Sequence, residues 1–216
     1  MRFRGHCNIV SLYSYWSEPS NNPYTYKTLV QLFEDGIYGD MLRTIVLNSV
    51  RPSNRLVQKY ICDIAKALLS IHNSNIIHSA VKPSNIYIDS ENTAMLGEFK
   101  KVELDSARQT NQLFSKVLIG QSIPKTLIYW APEVLKLEKY GTAADMWSLG
   151  VTIYQIVTGE HPFSVSNEEK FRDDVLTANI DFSRLEGYPR VKTVIENVMK
   201  VNPDKRWNAE KVLAYC

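Results

Sequence analysis

Cysteine is scarce in this chain of 216 residues, and its placement argues against two classes of protein. The three cysteines, Cys7, Cys62 and Cys216, lie far apart, and none belongs to a Cys-x-x-Cys pair. An odd number at this spacing argues against a disulfide framework and against a structural zinc site. We therefore expect three reduced thiols and a cytoplasmic or nuclear setting.

Long apolar runs and an excess of one charge are lacking as well. No run approaches the roughly 20 apolar residues that span a bilayer, and the first residues have no signal-peptide core. Lys and Arg total 25 against 23 for Asp and Glu, with no long run of one sign. We therefore expect neither nucleic acid nor a membrane as a partner. An apolar content of 44% is enough for one substantial core, and no linker or repeat divides the chain.

Glycine is sparse where a phosphate-binding loop would need it. The nine glycines include only Gly36 and Gly39 as a close pair, so the sequence has no Gly-x-Gly-x-x-Gly loop. No Val-Ala-x-Lys strand precedes His6 either. A loop that covers nucleotide phosphates is therefore missing from this sequence.

The apolar pattern predicts mainly helices. An amphipathic helix should begin after Pro52 and end near Asn73. A second helix, apolar on nearly all sides from Met146 to Val157, should begin at Thr142 with Asp145 completing a capping box. Two further helices are expected through residues 191–199 and from Asn208 onward.

Strands are predicted to be few and short. Residues 24–33 are rich in aromatic and β-branched side chains and favour a strand, with residues 9–16 as its partner. Residues 86–88 and 93–96 should form a hairpin. Residues 97–130 predict a long irregular segment, whose helical end signal is Ala131-Pro132-Glu133.

Between His78 and Asn85 the chain reads His-Ser-Ala-Val-Lys-Pro-Ser-Asn. Five further segments carry recognisable combinations: His6-Cys7-Asn8-Ile9-Val10, residues 24–33 with Glu34-Asp35-Gly36, Ala131-Pro132-Glu133, Asp145-Met146-Trp147-Ser148-Leu149-Gly150 and Pro203-Asp204-Lys205-Arg206. In this order they resemble the landmarks of the protein-kinase superfamily, in its eukaryotic serine/threonine branch. The resemblance covers nearly the whole chain.

The resemblance implies that the residues of catalysis are altered. The family's catalytic loop reads His-Arg-Asp-Leu-x-x-x-Asn, and its Asp accepts the substrate hydroxyl proton. Here Ala80 occupies the Asp position and Ser79 the Arg position. Glu98-Phe99-Lys100 replaces Asp-Phe-Gly, so Glu98 carries its carboxylate one methylene further out and Lys100 adds a cation. No metal is expected, and Asn85 and Glu98 are the two residues left that could bind one weakly.

The resemblance also implies that residues with structural roles are retained. Glu133 would pair with Arg206, Asp145 would accept hydrogen bonds from the loop backbone, and His78 would pack the loop against the metal motif. Lys82 and Asn85 are kept too, either as a residual nucleotide site or as loop hydrogen-bonders. With the hinge, predicted at Phe33, Glu34 and Asp35, they would form the nucleotide-binding residues.

These expectations combine into one α+β fold, a protein-kinase-like domain over residues 1–216 that is mainly the helical large lobe with a few short strands. Residues 1–34 would be a remnant of the small-lobe strands and hinge, and 35–216 the large lobe. Most of the small lobe would be absent from this chain, either lost or supplied by another segment.

The expected function is that of a pseudokinase, a scaffold or allosteric protein-interaction domain without efficient phosphoryl transfer. Its partners would be proteins, such as a true kinase or other domains of a longer chain, docking beside residues 120–133. No cofactor is expected. The alternatives are a regulatory module that binds ATP without turnover and a serine/threonine kinase of low activity.

Overall fold

The fold is described from a computed structural model, which covers residues 5–10, 18–19, 26–27, 37–97, 103–104 and 127–216. Six α-helices lie in these ranges: α1 (Asn54–His72), α2 (Pro132–Leu135), α3 (Ala143–Thr158), α4 (Glu168–Thr177), α5 (Pro189–Val198) and α6 (Ala209–Tyr215). A π-helical turn spans Leu42–Leu47, and 3-10 turns span Pro83–Asn85, Leu127–Tyr129, Phe182–Leu185 and Pro203–Lys205.

Short strands make up the rest of the regular structure among the described residues. They are β1 (Glu18–Pro19), β2 (Tyr26–Lys27), β3 (Ile37–Asp40), β4 (Ile76–Ile77), β5 (Ile86–Asp89), β6 (Ala94–Leu96) and β7 (Glu103–Leu104). The predicted hairpin is confirmed, because β5 pairs antiparallel with β6. β3 adds a third strand against β5, and β4 pairs with β7.

Helix α1 forms where its apolar pattern predicted it. The Ser53 hydroxyl accepts the backbone N–H of Leu56 and caps the first turn. Its apolar face is buried, with Ile64 and Leu68 fully inaccessible. The half of the hairpin next to it is fixed by Asp63, whose carboxylate accepts the Ala94 N–H at 3.2 Å.

Helix α3 lies in the centre of the core, as its apolar character on all sides predicted. Trp147 and Val151, one turn apart, are buried on one side of this helix, and Leu149 is buried on the opposite side. Gly159 ends the helix in the left-handed region at φ +77°, which costs glycine little. Among the described residues, no helix is both long enough and apolar enough to cross a bilayer.

The helical signal at Ala131-Pro132-Glu133 is confirmed, because Pro132 begins helix α2 and a proline at the first helical position loses no hydrogen bond. Two other predicted details are wrong. Thr142 makes no side-chain cap at the start of α3, because its backbone is already helical at φ −57° and ψ −22°, whereas a capping residue is extended. β2 pairs with β1, and Ile9 instead forms a parallel bridge with Leu96.

Candidate functional site

The candidate site is the loop from His78 to Asn85, which runs from β4 to the start of β5 and lies against the first turn of α3. The Asp145 carboxylate holds its near end. One oxygen accepts the His78 backbone N–H and the other accepts the Ser79 backbone N–H, each at 2.8 Å. His72 Nε2, from the last turn of α1, lies 2.9 Å from the same carboxylate. Asp145 is 1% exposed, so all three contacts are shielded from water.

His78 links this loop to the segment after β6. Its Nδ1 lies 3.3 Å from the backbone N–H of Ala80, so Nδ1 accepts and the ring proton sits on Nε2. Nε2 then donates to the carbonyl of Gly97 at 3.0 Å. The imidazole is fully buried and fixes the position of the residue directly before Glu98.

Asn85 closes the far end of the loop. Its side-chain amide donates to the Ala80 carbonyl at 2.9 Å, and its own carbonyl accepts the Gly97 N–H at 2.9 Å. The side chain is buried, and its amide oxygen lies 3.5 Å from the Ser84 hydroxyl. Asn85 is therefore hydrogen-bonded within the loop, and a contact with a nucleotide stays a prediction.

The two altered loop positions carry little polar function. Ser79 adopts φ +62°, and its hydroxyl is buried without a hydrogen-bond partner in the described part of the chain. Ala80 presents a methyl group, which cannot accept a proton. Lys82 is half-buried, and its ammonium group has neither a hydrogen bond nor an ion pair with the described residues.

The described residues do not by themselves fit a magnesium ion. Mg²⁺ requires about six oxygen ligands in near-octahedral geometry, and within these ranges no three His, Cys, Asp or Glu side chains converge. Asn85 is engaged within the loop, and Glu98 lies outside the described residues. We therefore assign no step to a metal.

The Glu133–Arg206 pair joins two distant parts of the lobe. Arg206 Nη1 and Nη2 each donate to one Glu133 oxygen at 2.6 Å, which is the bidentate geometry of a strong ion pair. The same guanidinium donates to the carbonyls of Ala143, Lys200 and Val201. It also lies over the Trp147 ring, 5.2 Å from the centroid. All three guanidinium nitrogens of Arg206 therefore donate hydrogen bonds inside the core.

Two histidines of this region escaped sequence reasoning. His72 contacts Asp145, and its one signal in the sequence was a histidine in the last turn of the predicted helix, six residues before His78. His161 links the segment after α3 to the 3-10 turn Leu127–Tyr129. Its Nε2 lies 2.8 Å from the Ile128 carbonyl, and its Nδ1 accepts the Phe163 N–H at 3.2 Å. Burial lowers the pKa of His161, so it remains neutral here.

The remaining predicted site residues lie outside the described residues. These are the hinge residues Phe33, Glu34 and Asp35, and Glu98 and Lys100 of the altered metal motif. The structure brings together His78, Ser79, Ala80, Asn85 and Asp145 in one loop and its support. It places Glu133 and Arg206 together as a separate pair.

Comparison with known proteins agrees with the geometry. The model of the protein kinase domain matches residues 1–215. An Aurora kinase of Candida glabrata is 30% identical over 178 residues, 82% of this chain and 45% of that protein. The serine/threonine-protein kinase TOS3 of Saccharomyces cerevisiae is 26% identical over 221 residues, 93% of this chain and 39% of that protein. The chain spans less than half the length of these curated relatives.

A solved structure shares the fold. The crystal structure of the Rad53 kinase domain and SCD2 in complex with AMPPNP superposes with a TM-score of 0.74. Its sequence is 23% identical, and the match covers 97% of this chain and 73% of that chain. With the family model matching almost every residue, the chain belongs to the protein kinase domain family.

Proposed function

We propose that this chain is a pseudokinase, a kinase-shaped domain that acts as a scaffold or allosteric partner of other proteins without efficient phosphoryl transfer. The observation that carries the proposal is the state of the His78–Asn85 loop. Asp145, His78 and Asn85 make the bonds that hold the loop, while the position of the proton acceptor is Ala80. A general base contributes about 10²- to 10⁴-fold to such a reaction, and a methyl group contributes none of it.

The pattern of retained residues supports the same proposal. The groups with buried hydrogen bonds in this structure, Asp145, His78, Glu133 and Arg206, keep the family's identities. Ser79 and Ala80, whose side chains make no hydrogen bond to the described residues, do not. Lys82 is the exception, because it is also unpaired among the described residues but keeps the family's identity. This division is expected where selection acts on the folded surface and not on turnover.

A phosphotransfer assay tests the proposal directly. Purified wild-type protein and the Lys82→Ala variant are incubated with radiolabelled ATP, magnesium and a generic peptide substrate, with an active family member as positive control. We expect the wild-type signal to equal the Lys82→Ala background. Incorporation by the wild type that disappears in Lys82→Ala would overturn the proposal, because contaminating kinases would not depend on this lysine.

The partner surface needs a test at exposed positions. The predicted groove beside residues 120–133 is described only from residue 127, and there Leu127, Tyr129 and Ala131 are buried. Charge at these positions would disrupt the core. Leu137, directly after α2, and Val165, before α4, are instead 49% and 47% exposed.

We therefore compare Leu137→Glu/Val165→Glu with a matched control, Leu47→Glu/Val50→Glu, which changes exposed apolar residues elsewhere. Proteins retained quantitatively from a cell extract are identified for each form. We expect one or more proteins held by the wild type and the control to be lost by Leu137→Glu/Val165→Glu. Equal retention by all three forms would exclude this surface.

ATP binding without turnover is the second candidate. Lys82 favours it, because its ammonium group is unpaired among the described residues and can bind a phosphate. A ligand at 100 times its Kd stabilises a protein by about 2.7 kcal/mol, which a melting curve detects readily. If ATP binds, the melting temperature rises with ATP concentration in the wild type and less in Lys82→Ala. An unchanged melting temperature at millimolar ATP, with and without magnesium, would exclude this candidate.

A further inference from the structure

A cavity of about 260 Å³ opens on the surface between the start of α1 and the turn of the β5–β6 hairpin. Its first wall is the chain that leads from the π-helical turn into α1, and its second wall is the end of β5 with the hairpin turn. The lining includes four apolar residues of the first wall and two residues of the second: Ile45, Val50, Pro52, Leu56, Ile88 and Asp89. Pockets for drug-sized molecules measure about 300 to 1,000 Å³, so this cavity is better suited to inserted side chains.

Hydrogen bonds hold the two walls of the cavity in place. Lys59, on α1, pairs with Asp63 at 2.9 Å and also donates to the Asn92 carbonyl in the hairpin turn at 2.8 Å. The Asp89 carboxylate accepts the backbone N–H of Glu91 at 2.9 Å, which fixes the turn itself. The cavity is therefore formed before anything enters it, and filling it requires little further ordering of the chain.

Exposed apolar side chains lie beside the cavity, on its first wall. Leu47, at the end of the π-helical turn, is 67% exposed, and Val50, three residues later, is 51% exposed. They are the two most exposed large apolar side chains among the described residues. One face of the protein thus carries both an apolar cavity and apolar side chains that project into solvent.

The two walls of the cavity carry opposite charges. Arg51 and Arg55 lie on the first wall, and Asp89 and Glu91 lie on the second. None of these four side chains forms an ion pair with a described residue, and three of them, Arg51, Arg55 and Glu91, are exposed. A face with one positive and one negative wall is complementary to itself under a two-fold rotation, because each positive wall then meets the negative wall of the other copy.

We propose that this face binds a second copy of the chain and forms a two-fold homodimer. Leu47 and Val50 of each copy pack into the cavity of the other, while Arg51 and Arg55 face the acidic hairpin turn. The two-fold axis repeats every contact, so a small face contributes twice. The contact is built from one cavity and two short segments, so the association is weak and reversible. This inference does not depend on whether the His78–Asn85 loop is catalytic, and it stands apart from the proposed function.

Sedimentation velocity over a range of protein concentrations tests the apolar contact. We expect the mass of the wild type to rise toward that of a dimer as its concentration increases. Leu47→Glu/Val50→Glu should raise the dissociation constant by at least about tenfold, because each new carboxylate would have to be buried against apolar side chains. Leu137→Glu/Val165→Glu is the matched control and should dimerise like the wild type. All four side chains are exposed, so unchanged melting temperatures verify that both variants fold.

Two results of this experiment would overturn the proposal. Wild-type protein that remains monomeric at about 200 µM would leave the cavity to another occupant, such as an apolar peptide of a different protein. A dimer that Leu47→Glu/Val50→Glu leaves intact would have to use another face. The retention of other proteins from a cell extract is a separate measurement, so the proposed function can fail while this inference holds, and the reverse.

A mixing experiment tests the two-fold arrangement itself. In Arg51→Glu/Arg55→Glu both walls are acidic, and in Glu91→Lys the second wall loses its net charge, so each variant alone should associate less tightly than the wild type. A mixed pair regains one native contact, in which the arginines of the Glu91→Lys chain face Asp89 and Glu91 of the other chain. With one variant fluorescently labelled, the mixed dimer should therefore be tighter than either variant's self-association. A mixed association that is no tighter would overturn the arrangement.

Discussion

At the scale of single residues, the side chains at the two altered positions, Ser79 and Ala80, take no part in the hydrogen bonds that hold the loop. Asp145 binds backbone N–H groups of residues 78 and 79, and Asn85 binds the backbone carbonyl of residue 80. Replacing an aspartate by Ala80 therefore removes chemistry without removing a bond that holds the loop. The sequence alone could show the missing carboxylate, but it could not show that these supporting bonds are still formed.

The Glu133–Arg206 pair yields the first prediction, since both side chains are buried and each depends on the other. Arg206→Leu should destabilise the fold by about 3 to 5 kcal/mol, because it leaves the Glu133 carboxylate buried without a counter-charge. Arg206→Lys should also destabilise, since a single ammonium cannot reproduce the bidentate contact or the three carbonyl contacts. Urea unfolding monitored by tryptophan fluorescence measures both.

A matched control comes from the surface. Arg184 pairs with Glu160 at 2.6 Å, but both side chains are largely exposed. Arg184→Leu should leave the unfolding midpoint almost unchanged, since exposed pairs contribute little. If Arg206→Leu and Arg184→Leu had equal effects, burial would not be what makes the Glu133 pair important.

At the scale of secondary-structure elements, a helix could be predicted from the sequence when its apolar residues formed a strong periodic pattern. α1 and α3 were predicted because many of their residues are buried in a regular pattern. α4 was missed because its ten residues bury only Phe171, Asp174 and Val175, too few to produce a pattern. The cap expected at Thr142 is absent because the Thr142 backbone is already helical, and the Asp145 carboxylate instead binds a loop that is distant in the sequence.

The packing of α3 against α5 gives the second prediction. A Cβ placed on Gly150 would lie 2.3 Å from Met199 Cγ and 2.9 Å from Val198 Cγ2. Gly150→Ala should therefore destabilise by about 1 to 3 kcal/mol through overpacking, although alanine is the better helix former. Thermal or urea unfolding measures the change.

Gly187→Ala is the control, because a Cβ there meets nothing within 4 Å. It should leave stability unchanged or slightly raised. A stabilised Gly150→Ala would show that the two helices separate at little cost, against the close contact described here.

The buried imidazole of His161 gives the third prediction, which concerns how the stability of the fold depends on pH. Burial among Tyr129, Phe163 and Phe171 lowers the folded-state pKa below the ordinary value of 6.5. Well above pH 6.5 the ring is neutral in both the folded and the unfolded state, so it contributes no pH dependence there. As the pH falls below 6.5 the unfolded chain binds a proton that the folded protein does not, so stability falls, by at most about 1.4 kcal/mol per pH unit.

His161→Gln removes this titration and keeps a donor for the Ile128 carbonyl. The difference in unfolding free energy between wild type and His161→Gln should therefore change between pH 7 and pH 5, with the wild type losing more. The other histidines are the same in both proteins and cancel. A difference that is constant over this range would contradict a buried neutral imidazole.

At the scale of the whole molecule, the fold could be predicted because the family's landmarks occur in order along the chain. The α+β architecture dominated by helices is the one observed, and the protein kinase domain family is the one that matches residues 1–215. The packing of α6 along α1 could not be predicted, since no local pattern reports which helices become neighbours. The proposed division near residue 34 lies outside the described residues and stays a prediction.

The fourth prediction concerns restoring the catalytic residues. Ala80→Asp combined with Glu98→Asp returns both carboxylates to their family identities. We expect no phosphotransfer from this double variant, because the sequence contains neither a glycine-rich loop nor a Val-Ala-x-Lys strand to hold ATP phosphates. The radiolabel assay described above measures it, and clear turnover would show that the large lobe alone suffices.

The way Asp145 is satisfied also bears on how related sequences should vary. Two of its three contacts are main-chain amides, which every residue except proline supplies. Without selection for turnover, positions 79 and 80 can exchange side chains at little thermodynamic cost, provided position 79 tolerates a left-handed backbone. Orthologues of this chain should therefore diverge at these two positions while keeping aspartate at 145, a pattern that a set of sequences from neighbouring species would reveal.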